Sequence, residues 1–146
     1  MSTTFRATIE HVSHTTSRAT VRSHSVLVDR GLAKGGLDLG PAGGEYLEVA
    51  LGGCFTSHLL AAIRARDALM TEVRVEVTGT LDSVPERFTS FAMDVSAQCD
   101  DTELAHRLVT IAARSCQVVT TLRQIASMTI SYKGVPVAFS EGIAVS

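Results

Sequence analysis

Hydrophobic and polar residues alternate over the first thirty positions of the chain. Apolar side chains at Ala19, Val21, Val26 and Val28 stand among polar residues and turn formers. A period of two is typical of strands with one buried face. The pattern therefore predicts two or three strands of an antiparallel sheet, followed by a glycine-rich loop over residues 31–44.

A long apolar segment follows this loop, from about Glu45 to Arg66. Its charge-free stretch, residues 49–63, has 15 residues, whereas a bilayer span needs roughly 20. A helix that is apolar on nearly all sides is buried in a core or at a subunit interface. Gly52 and Gly53 each cost such a helix about 1 kcal/mol relative to alanine. They indicate either the close approach of another backbone or a ligand, or a simple slack position.

The second half of the chain predicts three strands and two further helical segments. In order, these are strands over residues 72–81 and 89–98, a helix from residue 101, a short helical segment over 117–125 and a strand over 128–132. Asp101 or Thr102 is expected to cap the longer helix. With no internal repeat and no linker, the sequence predicts a single α+β domain over residues 1–146.

Composition and charge narrow the class of protein. The chain has 146 residues, 45% of them hydrophobic, with a net charge of -2. This is enough apolar material for a core, and the charge gives no reason to expect nucleic acid or a membrane as partner. The N-terminus lacks an apolar signal region and the cysteines number three, so a cytoplasmic location is expected. Glycine motifs for phosphate and C-x-x-C metal motifs are both missing, so we expect no cofactor and no metal.

The cysteines are the residues best suited to chemistry. Cys54 lies in the apolar helix, where the simplest interpretation is a small hydrophobe in the core; His58, one turn on, could polarise its thiol. Cys116 follows the second long helix at the start of another helical turn. Helix amides and Arg114 would stabilise a thiolate there, although a core cysteine at a helix junction is an equal alternative. Cys99 is followed by two aspartates, which disfavour a thiolate.

Two segments resemble the signature of the OsmC/Ohr family, the osmotically inducible protein C and organic hydroperoxide resistance proteins. The first is GPAGGEYLEVALGGC, residues 40–54, and the second is RSCQVVTTL, residues 114–122. The resemblance extends over about residues 21–132. It implies an α+β fold of antiparallel strands with long buried central helices, built as an intertwined homodimer with two sites at its interface.

The resemblance also implies thiol-dependent reduction of organic hydroperoxides. Cys54 would attack the peroxide as a thiolate and become a sulfenic acid, which Cys116 would resolve as a disulfide. An external dithiol would then reduce the pair; in the hydroperoxide-resistance branch this is a lipoyl protein. The family glutamate matches Glu45, and its arginine matches Arg18 or Arg22. Of these two, Arg18 is closer to the expected place, just ahead of a strand.

Three details of the same motifs bear on these assignments, and the last two are departures from the family pattern. Glu45 and Cys54 are nine positions apart, so they face opposite sides of an ideal helix. Glu45 therefore either precedes the regular helix or serves the partner subunit's site. The usual proline after the second cysteine is Gln117, and Gly43–Gly44 replace a proline before the glutamate.

Two other classes of function remain open from the sequence. One is a non-enzymatic dimer that binds a small apolar ligand, with Cys54 and Cys116 as packing residues or as a slow redox sensor. The other is a structural subunit of a larger complex.

Overall fold

Three antiparallel strands lie in the first of the two compact units of this protein. The structure is a computed structural model that describes residues 1–139. The chain divides into unit 1, residues 1–47, and unit 2, residues 48–146. The strands are β1 (Thr8–Ser13), β2 (Thr16–Val21) and β3 (His24–Val28), paired in that order. Two-residue turns join them, with His14 and Arg22 at positive φ. The antiparallel strands predicted for this region are confirmed.

A buried aspartate organises the loop that follows β3. Asp29 accepts hydrogen bonds from the hydroxyls of Thr15 (2.6 Å) and Thr16 (2.9 Å). It also accepts the backbone amides of Arg30 (2.7 Å) and Leu39 (3.2 Å). These donors, above all Thr15, outweigh the effect of burial and lower the pKa of Asp29 from 3.8 to about 2. The glycine-rich loop is thus tied to the β1–β2 turn, and it contains a short 3₁₀ helix, Leu32–Lys34.

The remaining elements alternate helices with strands. In chain order they are α1 (Glu45–Ala65), β4 (Thr71–Ser83), β5 (Glu86–Gln98), α2 (Thr102–Ser115), α3 (Gln117–Leu122), β6 (Ser127–Tyr132) and β7 (Val135–Pro136). The predicted helices and strands are all present. β7, a strand of two residues, falls in what the sequence pattern predicts to be a tail.

The four strands of the second unit form one mixed sheet in the order β4-β5-β6-β7. The pairs β4/β5 and β6/β7 are antiparallel, whereas β5 and β6 are parallel. The antiparallel strands that the resemblance implies are thus present, and the sheet contains one parallel pair as well. This parallel pair arises from the connection through α2 and α3, since a helical crossover brings the chain back in the same direction.

Local capping signals set the ends of α2 and α3. The Asp101 side chain accepts the amide of Leu104 at 3.0 Å, so Asp101 is the N-cap of α2. Cys116 ends α2, with its amide bonded to the Ala112 carbonyl, and it is also the N-cap of α3. Its thiol therefore lies at a junction between two helices.

One face of α1 packs into the core of the second unit, and the rest of the helix faces outward. The buried residues of α1 are Leu51, Gly52, Phe55, Leu59 and Ala62; they join the apolar side chains of β5, α2 and β6. Val49 and Leu60 on α1 are 58% and 47% exposed. The predicted burial of this helix thus holds for only one face in a single chain. By length and composition alone α1 could cross a membrane, a test that core helices of soluble proteins also pass.

Candidate thiol site

Two of the three cysteines meet in the second unit. Cys54 lies midway along α1, and Cys116 lies at the junction of α2 and α3. Cys54 packs against the core cluster that contains Cys116, and the two thiols are near enough for Cys54 to raise the pKa of Cys116. Neither is in a disulfide. The structure therefore brings together the two cysteines that the OsmC/Ohr resemblance pairs.

The two thiols differ in their exposure. Cys54 is half-buried, whereas Cys116 is 0% exposed. A reagent from solution therefore reaches Cys54 first. Cys116 is accessible chiefly to Cys54 itself.

Burial also makes the Cys116 thiol a weaker acid than that of an ordinary cysteine. The pKa of the Cys116 thiol is raised from 9.0 to about 11; loss of solvation is the largest cause, and the neighbouring Cys54 contributes to the same rise. The amide of Val119, 3.5 Å from Cys116 Sγ, and the amide of Val118 act in the opposite direction. The helix amides expected to favour a thiolate are present, but burial outweighs them. Cys116 is thus a protonated thiol near neutral pH.

A hydrogen bond beside the thiols joins the same two elements. His58 Nε2 lies 3.2 Å from Gln117 Oε1. His58 is half-buried, and Gln117 is exposed. Sequence reasoning noted each residue separately, next to its own cysteine, but nothing in the local pattern pairs them.

The glycines that precede Cys54 have different surroundings. A Cβ added at Gly52 would lie 2.7 Å from Val77 Cγ2 of β4, whereas one added at Gly53 would meet nothing within 4 Å. Gly52 therefore allows a close approach between α1 and β4, and Gly53 is open.

A shallow groove of about 400 Å³ runs along α1 and β4. Its lining is mainly apolar and consists of Glu48, Val49, Gly52, Gly53, Thr56, Val75 and Val77. Gly53, the residue before Cys54, is part of this lining, whereas Cys54 is not.

The other predicted site residues belong to the first unit. Glu45 is the first residue of α1, and its carboxylate accepts the Ala42 amide at 2.9 Å. Glu45 therefore lies in the helix and not before it. The prediction that remains is that Glu45 contributes to the thiol site of the partner subunit. Arg18 is exposed within β2, not ahead of a strand, and Arg22 lies in the β2–β3 turn. Their predicted roles beside Cys54 stay predictions.

Cys99 lies just beyond the end of β5, where its thiol donates a hydrogen bond to the Asp101 carbonyl at 3.3 Å. This local contact gives it no part in the Cys54–Cys116 pair. Across residues 1–139, no cluster of three or more His, Cys, Asp or Glu side chains is arranged to hold a metal ion.

The sequence profile of OsmC-like proteins matches residues 35–131, more than half of the chain. This chain belongs to the OsmC-like protein family. The match includes both cysteines of the thiol pair and Glu45, but it begins after Arg18 and Arg22.

Solved structures support the OsmC-like fold. A protein described as an osmotic stress induced and detoxification response protein from Psychrobacter arcticus superposes with a TM-score of 0.78 at 12% identity, covering 90% of this chain and 98% of that one. An organic hydroperoxide resistance protein OsmC from Legionella pneumophila gives 0.71 at 16% identity, covering 89% and 96%. An OsmC-like protein of unknown function from Vibrio cholerae gives 0.75 at 8% identity, covering 89% and 98%.

Curated protein sequences include no match to this OsmC-like chain. Because the solved structures are so distant in sequence, their likeness extends to the fold alone. The activity has to be argued from the thiol site.

Proposed function

We propose that this OsmC-like protein is a thiol-dependent peroxidase that reduces organic hydroperoxides in the cytoplasm as a homodimer. Cys54 is the attacking residue and Cys116 is the resolving residue. The observation that carries the proposal is the contact between a half-buried thiol and a fully buried one.

The proposed cycle has three balanced steps. The Cys54 thiolate attacks the peroxide O–O bond and takes one oxygen, and the alkoxide leaves as an alcohol after protonation. The Cys116 thiol then attacks the Cys54 sulfenic acid, which forms the disulfide and releases water. A dithiol reductant, for which a lipoyl protein is the expected class, returns both cysteines to thiols and is itself oxidised to a disulfide.

The acidity of Cys116 fits the resolving role. With a pKa raised to about 11, Cys116 stays protonated near neutral pH and does not compete for peroxide, since only the thiolate is nucleophilic. In the resolving step Cys116 gives this proton to the departing oxygen of the sulfenic acid as its sulfur attacks Cys54, so the sulfur reacts as a thiolate and the oxygen leaves as water.

The apolar surroundings of Cys54 support an organic substrate in preference to hydrogen peroxide. Cys54 is half-buried and packs against the apolar core of the second unit. The alkyl part of an organic hydroperoxide gains free energy by leaving water there, whereas hydrogen peroxide has no such group. Glu45 and Arg18, or Arg22 in its place, are proposed to hold and activate Cys54, with Glu45 acting in the partner subunit's site.

The decisive test adds one equivalent of cumene hydroperoxide to the reduced protein and counts free thiols. The parent and the Cys99→Ser variant are each expected to lose two thiols and to form a Cys54–Cys116 disulfide, found by mass spectrometry of peptides. Cys116→Ser is expected to stop at a Cys54 sulfenic acid that dimedone traps. Serine is preferred over alanine because its oxygen still accepts the Val119 amide as N-cap. If Cys54→Ser consumes peroxide as fast as the parent, the proposal is wrong.

The apolar groove between α1 and β4 favours a second candidate function, a non-enzymatic dimer that binds a small apolar ligand. About 400 Å³ falls within the range of small-molecule sites. This candidate predicts that an apolar ligand such as cumyl alcohol raises the melting temperature of the parent and of Cys54→Ser equally. It is excluded if no such shift appears and Cys54→Ser abolishes peroxide consumption.

A further inference from the structure

His58 and Gln117 form a second link between the two elements that carry the thiol pair. His58 lies one helical turn after Cys54 on α1, and Gln117 directly follows Cys116 as the first residue of α3. Residues four apart share a face of a helix. Cys54 and His58 therefore lie on the same face of α1, and their partners, Cys116 and Gln117, are adjacent in the chain.

The chemistry of the two side chains fixes the direction of this hydrogen bond. Gln117 Oε1 carries no hydrogen and only accepts, so His58 Nε2–H is the donor. No thiol takes part in this bond. Oxidation of Cys54 or Cys116 therefore removes neither its donor nor its acceptor.

Cys116 has a second role at the start of α3. In the reduced protein, Cys116 Sγ accepts the Val119 amide at 3.5 Å and so caps the helix. If this sulfur turned away to bond Cys54, the Val119 amide would lose its acceptor and the first turn of α3 would be held less firmly. The His58–Gln117 bond is a separate link between that turn and α1.

We infer that His58 and Gln117 are positioning residues for disulfide closure, because their hydrogen bond holds the start of α3 where Cys116 can reach Cys54. This inference rests on the Cys54–Cys116 disulfide of the proposed function. It assigns no contact with substrate to either residue.

Closure is measured most directly with diamide, which needs no peroxide activity. Diamide oxidises the two thiols to a disulfide and takes up their two hydrogens as a hydrazine. In a Cys99→Ser background, His58→Ala and Gln117→Ala are expected to close roughly three- to tenfold more slowly, the range that one ordinary hydrogen bond supplies. The double variant is expected to be no slower than the slower single variant, since both remove the same bond.

Two further measurements separate positioning from general loosening of the fold. Alkylation of Cys54 by iodoacetamide is expected to proceed at the parent rate in both variants, because it needs no Cys116. His58→Gln, which keeps a donor for Gln117 Oε1, is expected to restore closure. The matched control is Gln124→Ala, which removes a bond to the Thr120 carbonyl at 3.2 Å and is expected to close like the parent.

The inference is overturned if both single variants form the disulfide at the parent rate. It is also overturned if alkylation of Cys54 slows by the same factor as disulfide formation. A double variant that slows by the product of the two single-variant factors would overturn it as well. It is also overturned if the parent forms no Cys54–Cys116 disulfide with diamide. A parent that closes with diamide but ignores cumene hydroperoxide contradicts the peroxidase proposal alone. In that case the positioning role of His58 and Gln117 stands.

Discussion

Individual residues in this protein are defined by what surrounds them more than by their type. Cys116 and Cys99 are both cysteines near a helix start, yet only Cys116 is wholly buried against another thiol. Its helix-end amides alone would favour a thiolate, and desolvation reverses that preference. The same competition has the opposite outcome at Asp29, where four donors outweigh burial.

Asp29 makes a prediction for stability against pH. Its pKa is about 2 in the folded chain and near 3.8 when its partners are lost. A lowered folded pKa means that the carboxylate stabilises the fold fully above about pH 4, and that this part is lost as the pH falls towards about 2. Asp29→Asn should therefore lower the free energy of unfolding most above pH 4. The difference from the parent should shrink below that pH.

Urea denaturation from pH 2 to pH 6 measures this difference. Asp82→Asn, on an exposed part of β4, is the control and should change stability little at any pH. A gap between Asp29→Asn and the parent that is constant down to pH 2 would contradict the depressed pKa.

At the scale of secondary structure, α1 combines two glycines with opposite surroundings. Gly52→Ala removes a glycine but drives a methyl group to 2.7 Å from Val77 Cγ2. Overpacking of this kind costs about 1–3 kcal/mol, which exceeds or cancels the gain of about 1 kcal/mol in helix propensity. Gly53→Ala gains the propensity without the clash. We expect Gly52→Ala to lower the free energy of unfolding and Gly53→Ala to raise it.

Chemical denaturation of the two variants beside the parent checks this prediction, and each glycine is the control for the other. Circular dichroism before denaturation should show equal helix content. Equal changes in stability would mean that Val77 moves aside freely and that Gly52 is as slack a position as Gly53.

The sequence predicts best those elements whose signals are local. Asp101, one of the two candidates for the cap of α2, is the cap, and it could be anticipated because a carboxylate three residues from an amide needs no distant partner. The direction of β6 is missed because it depends on how α2 and α3 route the chain. Cys54 and Cys116 are found through their motifs. The His58–Gln117 bond joins residues 59 positions apart, a distance that no local pattern spans.

At the scale of the whole molecule, the outer face of α1 is an apolar surface that the single chain leaves uncovered. A helix this apolar is expected to be covered, yet Val49 and Leu60 are 58% and 47% exposed in the single chain. A second copy is the occupant that the OsmC/Ohr resemblance implies. The proposed homodimer would cover this face and is proposed to bring the partner's Glu45 to the site.

The homodimer is tested by light scattering at micromolar concentration. The parent is expected to have twice the mass of one chain. Val49→Lys and Leu60→Glu each place a charge on the outer face of α1, where burial without a partner is costly, and are expected to shift the mass towards a single chain. Leu69→Glu is the control, because Leu69 follows the helix and is already 88% exposed. A parent that stays a single chain contradicts the prediction.

The dimer prediction also separates the two cysteine reactions. Cys54 and Cys116 lie in one chain, so a dissociated Leu60→Glu variant should still close its disulfide with diamide. Peroxide consumption should fall, because activation of Cys54 is proposed to need Glu45 from the partner. If the dissociated variant consumes cumene hydroperoxide at the parent rate, each chain carries a complete site. Glu45 then has no role across the interface.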